Sequence, residues 1–314
     1  MDGFFSAISA SLVLLLLMAV GYFMGKIGWM TASEKRFLSK YIVNIAVPCN
    51  CITGLLNNLD HDSLLQAGIM VLSGMMGVAV TLVLSMALAK VLRLPKERWG
   101  VFVAMAAFSN TLFVGLPVST QLFGEVCVPY VMMYYLANTT FVQSAGILLI
   151  ERSGTKMAGK TTVGGFLKDL FTKPPIVTVI FTIILLLLDL RLPGPIMTWA
   201  GYISQSVSPL ALIYCGYIIY ELGLKNLRLM KGLPTMLVTR LGISPVICWC
   251  FCHLTGMSGL AMNVFIVESA LPVVSQVPVL AGAYGADDKY AATGAVLSTL
   301  CSFISIPVLM LMLG

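Results

Sequence analysis

The sequence predicts an all-α integral membrane protein with ten transmembrane helices, arranged as two inverted five-helix repeats. Three observations lead to this fold class: the composition, the charges of the loops and a repeated register. Hydrophobic residues make up 59% of the chain and charged residues 10%, whereas a soluble domain carries about 25% charged residues. Apolar runs such as 67–89 carry no charge and are long enough to cross a bilayer as helices. The strand-like alternation of a β-barrel is absent from them.

The apolar runs give ten predicted spans in chain order. The first run follows Met1-Asp2-Gly3 and has no positive charge before Lys26, so we interpret it as a span rather than a signal peptide. The predicted spans are 4–25, 37–57, 64–90, 98–122, 126–150, 174–190, 196–220, 232–253, 259–284 and 288–313.

Positive charges alternate between the loops that join these spans. All but two of the 19 Lys and Arg residues lie in odd-numbered loops; Arg191 is in loop six, and Arg240 lies within the eighth span. Lys and Arg gather in cytoplasmic loops, so the alternation predicts a multi-pass protein of the bacterial inner membrane with both termini outside. The formal charge of +6 follows from this topology, and we expect no nucleic-acid partner.

An internal repeat supports the same count. A shift of 161 residues places Pro48 on Pro209 and Pro117 on Pro278. The shift pairs span two with seven, four with nine and five with ten. Because five spans per half is an odd number, the second half is inverted, as in many secondary transporters. The predicted organisation is a first repeat at 1–150, a cytoplasmic linker at 151–173 and a second repeat at 174–314.

Spans four and nine contain matching interruptions. Segment 109–117 combines Ser, Asn, Gly and Pro, and segment 268–278 contains two prolines. Proline removes a backbone donor, and paired interruptions in two halves indicate a transport site whose half-helix N-termini favour an anion. The alternative is that these prolines only kink two packed helices. The candidate substrate-binding residues are Asn110, Thr111, Pro117, Asn138, Ser275, Gln276 and Pro278.

Several of the polar residues within spans have more than one interpretation. The amide of Asn138 could join helices or contact substrate. Arg240 and Glu268 are possible charge partners, because ionisable groups at membrane depth are costly and commonly functional. Arg240 could also extend toward the cytoplasmic side or neutralise an anionic substrate.

Catalytic and metal-binding patterns are missing from the sequence. Cys248, Cys250 and Cys252 precede His253, but residues two apart on a helix face different directions and cannot converge on one ion. We expect no enzyme activity, no metal and no cofactor. The sequence does not identify the coupling ion, which could be H+ or Na+.

Several segments together resemble the auxin efflux carrier family of bacterial permeases. The resemblance implies a scaffold domain of spans one, two, six and seven, and a transport domain of the others. It implies that spans four and nine cross at Pro117 and Pro278, with Asn110 as the family's asparagine beside the crossing. It also implies elevator-like movement, homodimers and small organic anions as substrates. The segments that carry the resemblance are Gly21-Tyr22 with Gly25-Lys26, 44–48, 109–111 with 115–117, 209–212 with Gly216, 268–272, Tyr284-Gly285 and 297–300.

Three functions are compatible with this pattern. The first is a secondary transporter of a mono- or dicarboxylate by alternating access. The alternative is a cation/proton antiporter on a related inverted-repeat scaffold, which needs titratable carboxylates at the crossing, where span nine offers Glu268 and span four offers none. A membrane-embedded sensor or enzyme is the third, but it needs an output domain or catalytic constellation that the sequence lacks.

Overall fold

The computed structural model describes residues 2–58, 63–155, 172, 174–223 and 229–313. Most of the predicted linker 151–173 lies outside this part of the chain. The loop around His61, and loop residues Lys225 and Arg228, also lie outside it. Within the described ranges the fold is helical and contains no β-strand, apart from one isolated bridge.

Sixteen α-helices, some joined by π-helical turns, follow one another along the described residues. Their order is α1 (Asp2–Lys26), α2 (Ala32–Tyr41), α3 (Val47–Asn58), α4 (Ser63–Val91), α5 (Lys96–Ala107), α6 (Leu116–Phe123), α7 (Val128–Phe141), α8 (Ile147–Ser153), α9 (Pro174–Leu187), α10 (Gly194–Ser204), α11 (Val207–Leu222), α12 (Leu233–Val238), α13 (Ser244–Leu254), α14 (Gly259–Ser269), α15 (Gln276–Tyr284) and α16 (Asp288–Leu313). The π-helical turns are Ile42–Ala46, Thr111–Gly115, Val142–Gly146 and Thr239–Ile243, and a 3₁₀ turn spans Glu125–Cys127.

Among the described residues, four helical segments are long and apolar enough to cross a membrane. Other apolar segments are shorter because the helix is interrupted: α5 has 12 residues and α14 has 11. At about 1.5 Å per residue, neither spans a hydrocarbon core of about 30 Å alone. The four long segments are Ala67–Val91, Gly194–Glu221, Leu233–Leu254 and Asp288–Leu313.

The outer surface of these helices is apolar. Val83, Ile304 and Met312 are 61%, 72% and 78% exposed. Exposed apolar surface on this scale is unfavourable in water and is what a lipid-facing surface requires. The structure therefore agrees with an all-helical membrane protein. The count of ten spans and the inverted repeat stay predictions.

Helices α1 and α11 form the most extensive helix pair among the described residues. Their axes approach closely because glycines face the partner backbone: a Cβ atom at Gly21 would overlap the carbonyl of Ile213, and one at Gly216 would overlap that of Met18. Small residues allow such close packing in membranes, where the interface depends on van der Waals contact. Helix α3 packs against α9 and α10, while α4 packs against α5, α7 and α13.

Gly216→Ala is therefore expected to destabilise the protein by about 1–3 kcal/mol, because the added methyl group overpacks the α1–α11 contact. Gly201→Ala is the matched control, since a Cβ atom there meets nothing within 4 Å. Thermal unfolding of the two purified variants in one detergent measures the difference. Equal melting temperatures would show that the close approach contributes nothing to stability.

Candidate functional site

Two extended segments meet near the centre of the molecule. One joins the end of α5 to the turn at Thr111, and the other joins α14 to α15. Ser109 and Val273 form an isolated antiparallel bridge. The N–H of Asn110 donates to the carbonyl of Pro272 at 2.9 Å, and the N–H of Val274 donates to that of Phe108 at 3.2 Å. Each interruption thus supplies partners for backbone groups that the other leaves without helical bonds.

Side chains from two further helices complete this crossing. Asn138 of α7 donates from Nδ2 to the Ser109 carbonyl at 2.9 Å, and its Oδ1 accepts from the Ser109 N–H at 3.3 Å. Ser298 of α16 accepts the Val273 N–H at 3.0 Å. Asn138 and Ser298 are both buried. Backbone groups at membrane depth need such partners. The contacts of Asn138 therefore satisfy the backbone of Ser109 at the crossing.

Arg240 connects the C-terminal ends of the two helices that stop at the crossing. Its guanidinium donates to the carbonyl of Ala106 at 3.4 Å, to the carbonyl of Ser269 and to Ser244 Oγ at 2.8 Å. The last carbonyls of a helix lack helical donors and favour a cation. Because Arg240 is fully buried, its guanidinium does not reach the protein surface. One side chain therefore stabilises α5 and α14 together.

Glu268 is close in sequence to this cluster but makes different contacts. Its Oε1 accepts a hydrogen bond from Ser119 Oγ of α6 at 2.7 Å. Its carboxyl group occupies the space where a side chain at Gly115 would begin. Among the described residues, no ion pair joins Glu268 to Arg240. The two possible charge partners therefore bind separate groups.

A cavity of about 270 Å³ opens beside the crossing. Five of the seven candidate binding residues line it, together with four polar residues outside that candidate set. Of these four, Asn44 and Gln143 have amides within predicted spans, whereas Thr139 gave no sequence signal beyond its place beside Asn138. The side chains found lining the cavity are all neutral. Those nine polar residues are Asn44, Ser109, Asn110, Thr111, Asn138, Thr139, Gln143, Ser275 and Gln276.

Helices begin at the edge of this cavity. The helical backbone resumes at Thr111 and at Gln276, and the first N–H groups of a helix have no helical acceptor. The Asn110 side chain makes no capping hydrogen bond and is 6% exposed, so its amide is available to a ligand. Gln143 Nε2 donates to Gln276 Oε1 at 3.1 Å across one wall. The described residues of the cavity thus present hydrogen-bond donors without a fixed charge.

The two repeat-related prolines lie downstream of the interruptions. Pro117 is the second residue of α6, and Pro278 the third of α15. Proline is tolerated at position 278 because N–H groups at a helix start lack partners in any case, whereas Pro117 follows the π-helical turn Thr111–Gly115 without a break. Pro278 borders a recess of about 30 Å³ together with Asn110 and Ser275, while Pro117 does not line the 270 Å³ cavity. The backbone therefore crosses at 108–110 and 272–274 rather than at these two prolines.

Asn138→Leu is expected to lower the free energy of unfolding by about 2–5 kcal/mol, because it leaves two buried backbone groups of Ser109 unpaired. Asn50→Leu is the control: Asn50 is an equally buried amide that donates to the hydroxyl of Ser204 rather than to backbone. Unfolding of both variants in mild detergent measures the difference. A smaller loss for Asn138→Leu than for Asn50→Leu would contradict this role.

Comparisons with known proteins relate this chain to membrane transport proteins. A family model described as "Membrane transport protein" matches residues 6–310. An uncharacterized transporter of Methanocaldococcus jannaschii is 26% identical over 302 residues, which cover 94% of this chain and 95% of the relative. An uncharacterized transporter of Methanothermobacter thermautotrophicus is 26% identical over 312 residues, covering 97% of each chain. Since the family match extends over nearly the whole chain, the protein is a multi-pass membrane protein that belongs to the auxin efflux carrier family of membrane transport proteins.

Proposed function

We propose that this protein is a secondary transporter of a small organic anion, a mono- or dicarboxylate, which binds in the cavity beside the crossing. The observation that carries the proposal is the meeting of two interrupted helices at a cavity lined by neutral donors. Helix starts and amide or hydroxyl donors can replace the water that a carboxylate loses on entering the membrane. The volume of about 270 Å³ suits a ligand smaller than a typical drug molecule.

The chemistry of the lining favours an anion over a cation. A cation/proton antiporter needs a carboxylate that faces its ion. The described residues that line the cavity include no Asp or Glu, and Glu268 lies behind Gly115 rather than in the lining. A lining of neutral donors also releases its ligand readily, because none of the described lining residues carries a fixed positive charge.

Ten spans in two inverted repeats remain part of this proposal. Matching irregularities support it: the π-helical turn Ile42–Ala46 lies in the first half, and at the shift of 161 residues α10 and α11 are interrupted at Gln205-Ser206. The breaks after α5 and α14 form a second matching pair. In the proposed arrangement both termini lie outside the cytoplasmic membrane, and two copies form a homodimer.

Elevator movement is the proposed mechanism of alternating access. The cavity wall combines Val43, Asn44 and Pro174, from predicted spans two and six, with residues of predicted spans four, five and nine. The first group belongs to the proposed scaffold domain, and the second to the proposed transport domain. Sliding the second group against the first would open the cavity to one side of the membrane at a time.

Uptake into liposomes tests the function. Purified protein should move at least one radiolabelled acid from a panel that contains acetate, lactate, malonate, malate, succinate and indole-acetate. Unlabelled competitor inside the vesicles should accelerate uptake by exchange. Liposomes without protein are the control. A panel that shows neither flux nor saturable binding would exclude an organic-anion transporter.

Asn110→Ala is expected to reduce the uptake of a transported acid by about 10- to 150-fold, since one lost hydrogen bond to a charged ligand corresponds to roughly 1.5–3 kcal/mol. Asn58→Ala is the control, because Asn58 Nδ2 donates to Gly54 O at the end of α3 and Asn58 does not line the cavity. Both variants should keep the wild-type melting temperature. Unchanged uptake by Asn110→Ala would remove this residue from the binding site.

A further inference from the structure

Glu268 is a buried carboxyl group with only one hydrogen-bond partner. It is the last residue but one of α14 and has no exposed surface. Ser119 donates to Oε1, and Oε2 has no hydrogen-bond partner among the described residues. An ionised carboxylate with so few partners is costly at membrane depth. The physical state that fits these surroundings is the protonated, neutral acid.

Groups packed against α14 do not supply a compensating positive charge. Helix α6 and the turn Thr111–Gly115 carry no ionisable side chain. Arg240 donates to the carbonyl of Ser269, the residue next to Glu268, but forms no ion pair with the carboxyl group in the described structure. The remaining ionisable residues of the elements packed against α14 are Glu125 and Cys127 of the 3₁₀ turn, Tyr130, Tyr134 and Tyr135 of α7, Cys248, Cys250, Cys252 and His253 of α13, and Asp288, Lys289, Tyr290 and Cys301 of α16. Among the described residues, Lys289 at the start of α16 also forms no ion pair with Glu268.

The carboxyl group is linked to the cavity through a single turn of backbone. It contacts Gly115, and Thr111, at the start of the same π-helical turn, lines the cavity. One helical turn is about 5 Å long. A carboxylate at Glu268 would repel an anion at Thr111 through a low-dielectric interior, whereas the neutral acid would not. Protonation of Glu268 and binding of an anion therefore favour each other, and such coupling is reciprocal.

We propose that Glu268 is the proton-binding site of this transporter, and that one proton accompanies each anion across the membrane. The statement that one proton accompanies each anion rests on the proposed function. The protonated state of Glu268 does not depend on that function. A metal cation fits the site poorly, because hard cations need several converging oxygen atoms. Here Ser119 Oγ is the one oxygen that is hydrogen-bonded to the carboxyl group, and the described residues contain no cluster of three or more His, Cys, Asp or Glu side chains.

Infrared spectroscopy tests the protonated state without any substrate. Wild-type protein at pH 7 should show the carbonyl stretching band of a buried carboxylic acid, and Glu268→Gln should lose it. Ser119→Ala should keep the band but shift its frequency, because the hydrogen bond to Oε1 is removed. This second variant assigns the band even where Glu268→Gln folds poorly. A wild-type spectrum without this band, or one that neither variant alters, overturns the proposal.

Proton movement in liposomes tests the coupling. A pH-sensitive dye inside the vesicles should report one proton entering with each transported acid, and a pH gradient should drive severalfold accumulation. A sodium gradient of equal size should give none. In Glu268→Gln the pH-driven accumulation should disappear, while Asn58→Ala should keep it. Accumulation that persists in folded Glu268→Gln overturns the coupling.

The two proposals fail in different ways. Where no acid of the panel is transported, the proposed function fails, and the infrared band alone decides whether Glu268 holds a proton. Where an acid is transported without any proton, the proposed function stands and the coupling role of Glu268 is excluded.

Discussion

The structure depends on one constraint: backbone N–H and C=O groups within a membrane must all find partners. Interrupting a helix in the bilayer exposes such groups, and a single interruption could not supply partners for itself. Here two interruptions pair with each other through Ser109 and Val273. Asn138 binds both backbone groups of Ser109, Ser298 binds the Val273 N–H, and Arg240 binds the helix ends. The cavity therefore borders two segments that hydrogen bonds hold together.

The two buried ionisable residues and the cavity are separated in this molecule. Arg240 and Glu268 are the ionisable residues that a reader of the sequence would first assign to the substrate, yet neither lines the cavity. Arg240 is held by carbonyl groups of two helices, and Glu268 by Ser119. The cavity itself is left to amides, hydroxyls and helix starts. Such a lining can attract a carboxylate moderately from either side, and moderate attraction suits a carrier that must release what it binds.

The sequence predicts much of this arrangement where the signal is local. Apolar runs, the family membership and the interrupted segments follow from neighbouring residues, and so does the presence of Asn110 and Gln276 near the crossing. Contacts between residues that are distant in sequence could not be predicted in this way. Arg240 reaches Ala106 across 134 positions, and no local pattern indicates that partner. The backbone contacts between the two segments also lie upstream of Pro117 and Pro278. Proline is more common in the first residues of a helix than in the extended segment before it.

The pairing of the two interruptions also has a consequence for biosynthesis. Phe108 and Asn110 find their backbone partners in residues 272–274, which leave the ribosome about 160 residues later. At about 5–20 residues per second, the first interruption waits on the order of 10–30 s for its counterpart. During that interval the nascent first half cannot contain the completed crossing. Membrane insertion of the second half is therefore also the step that supplies the missing backbone partners of the first half.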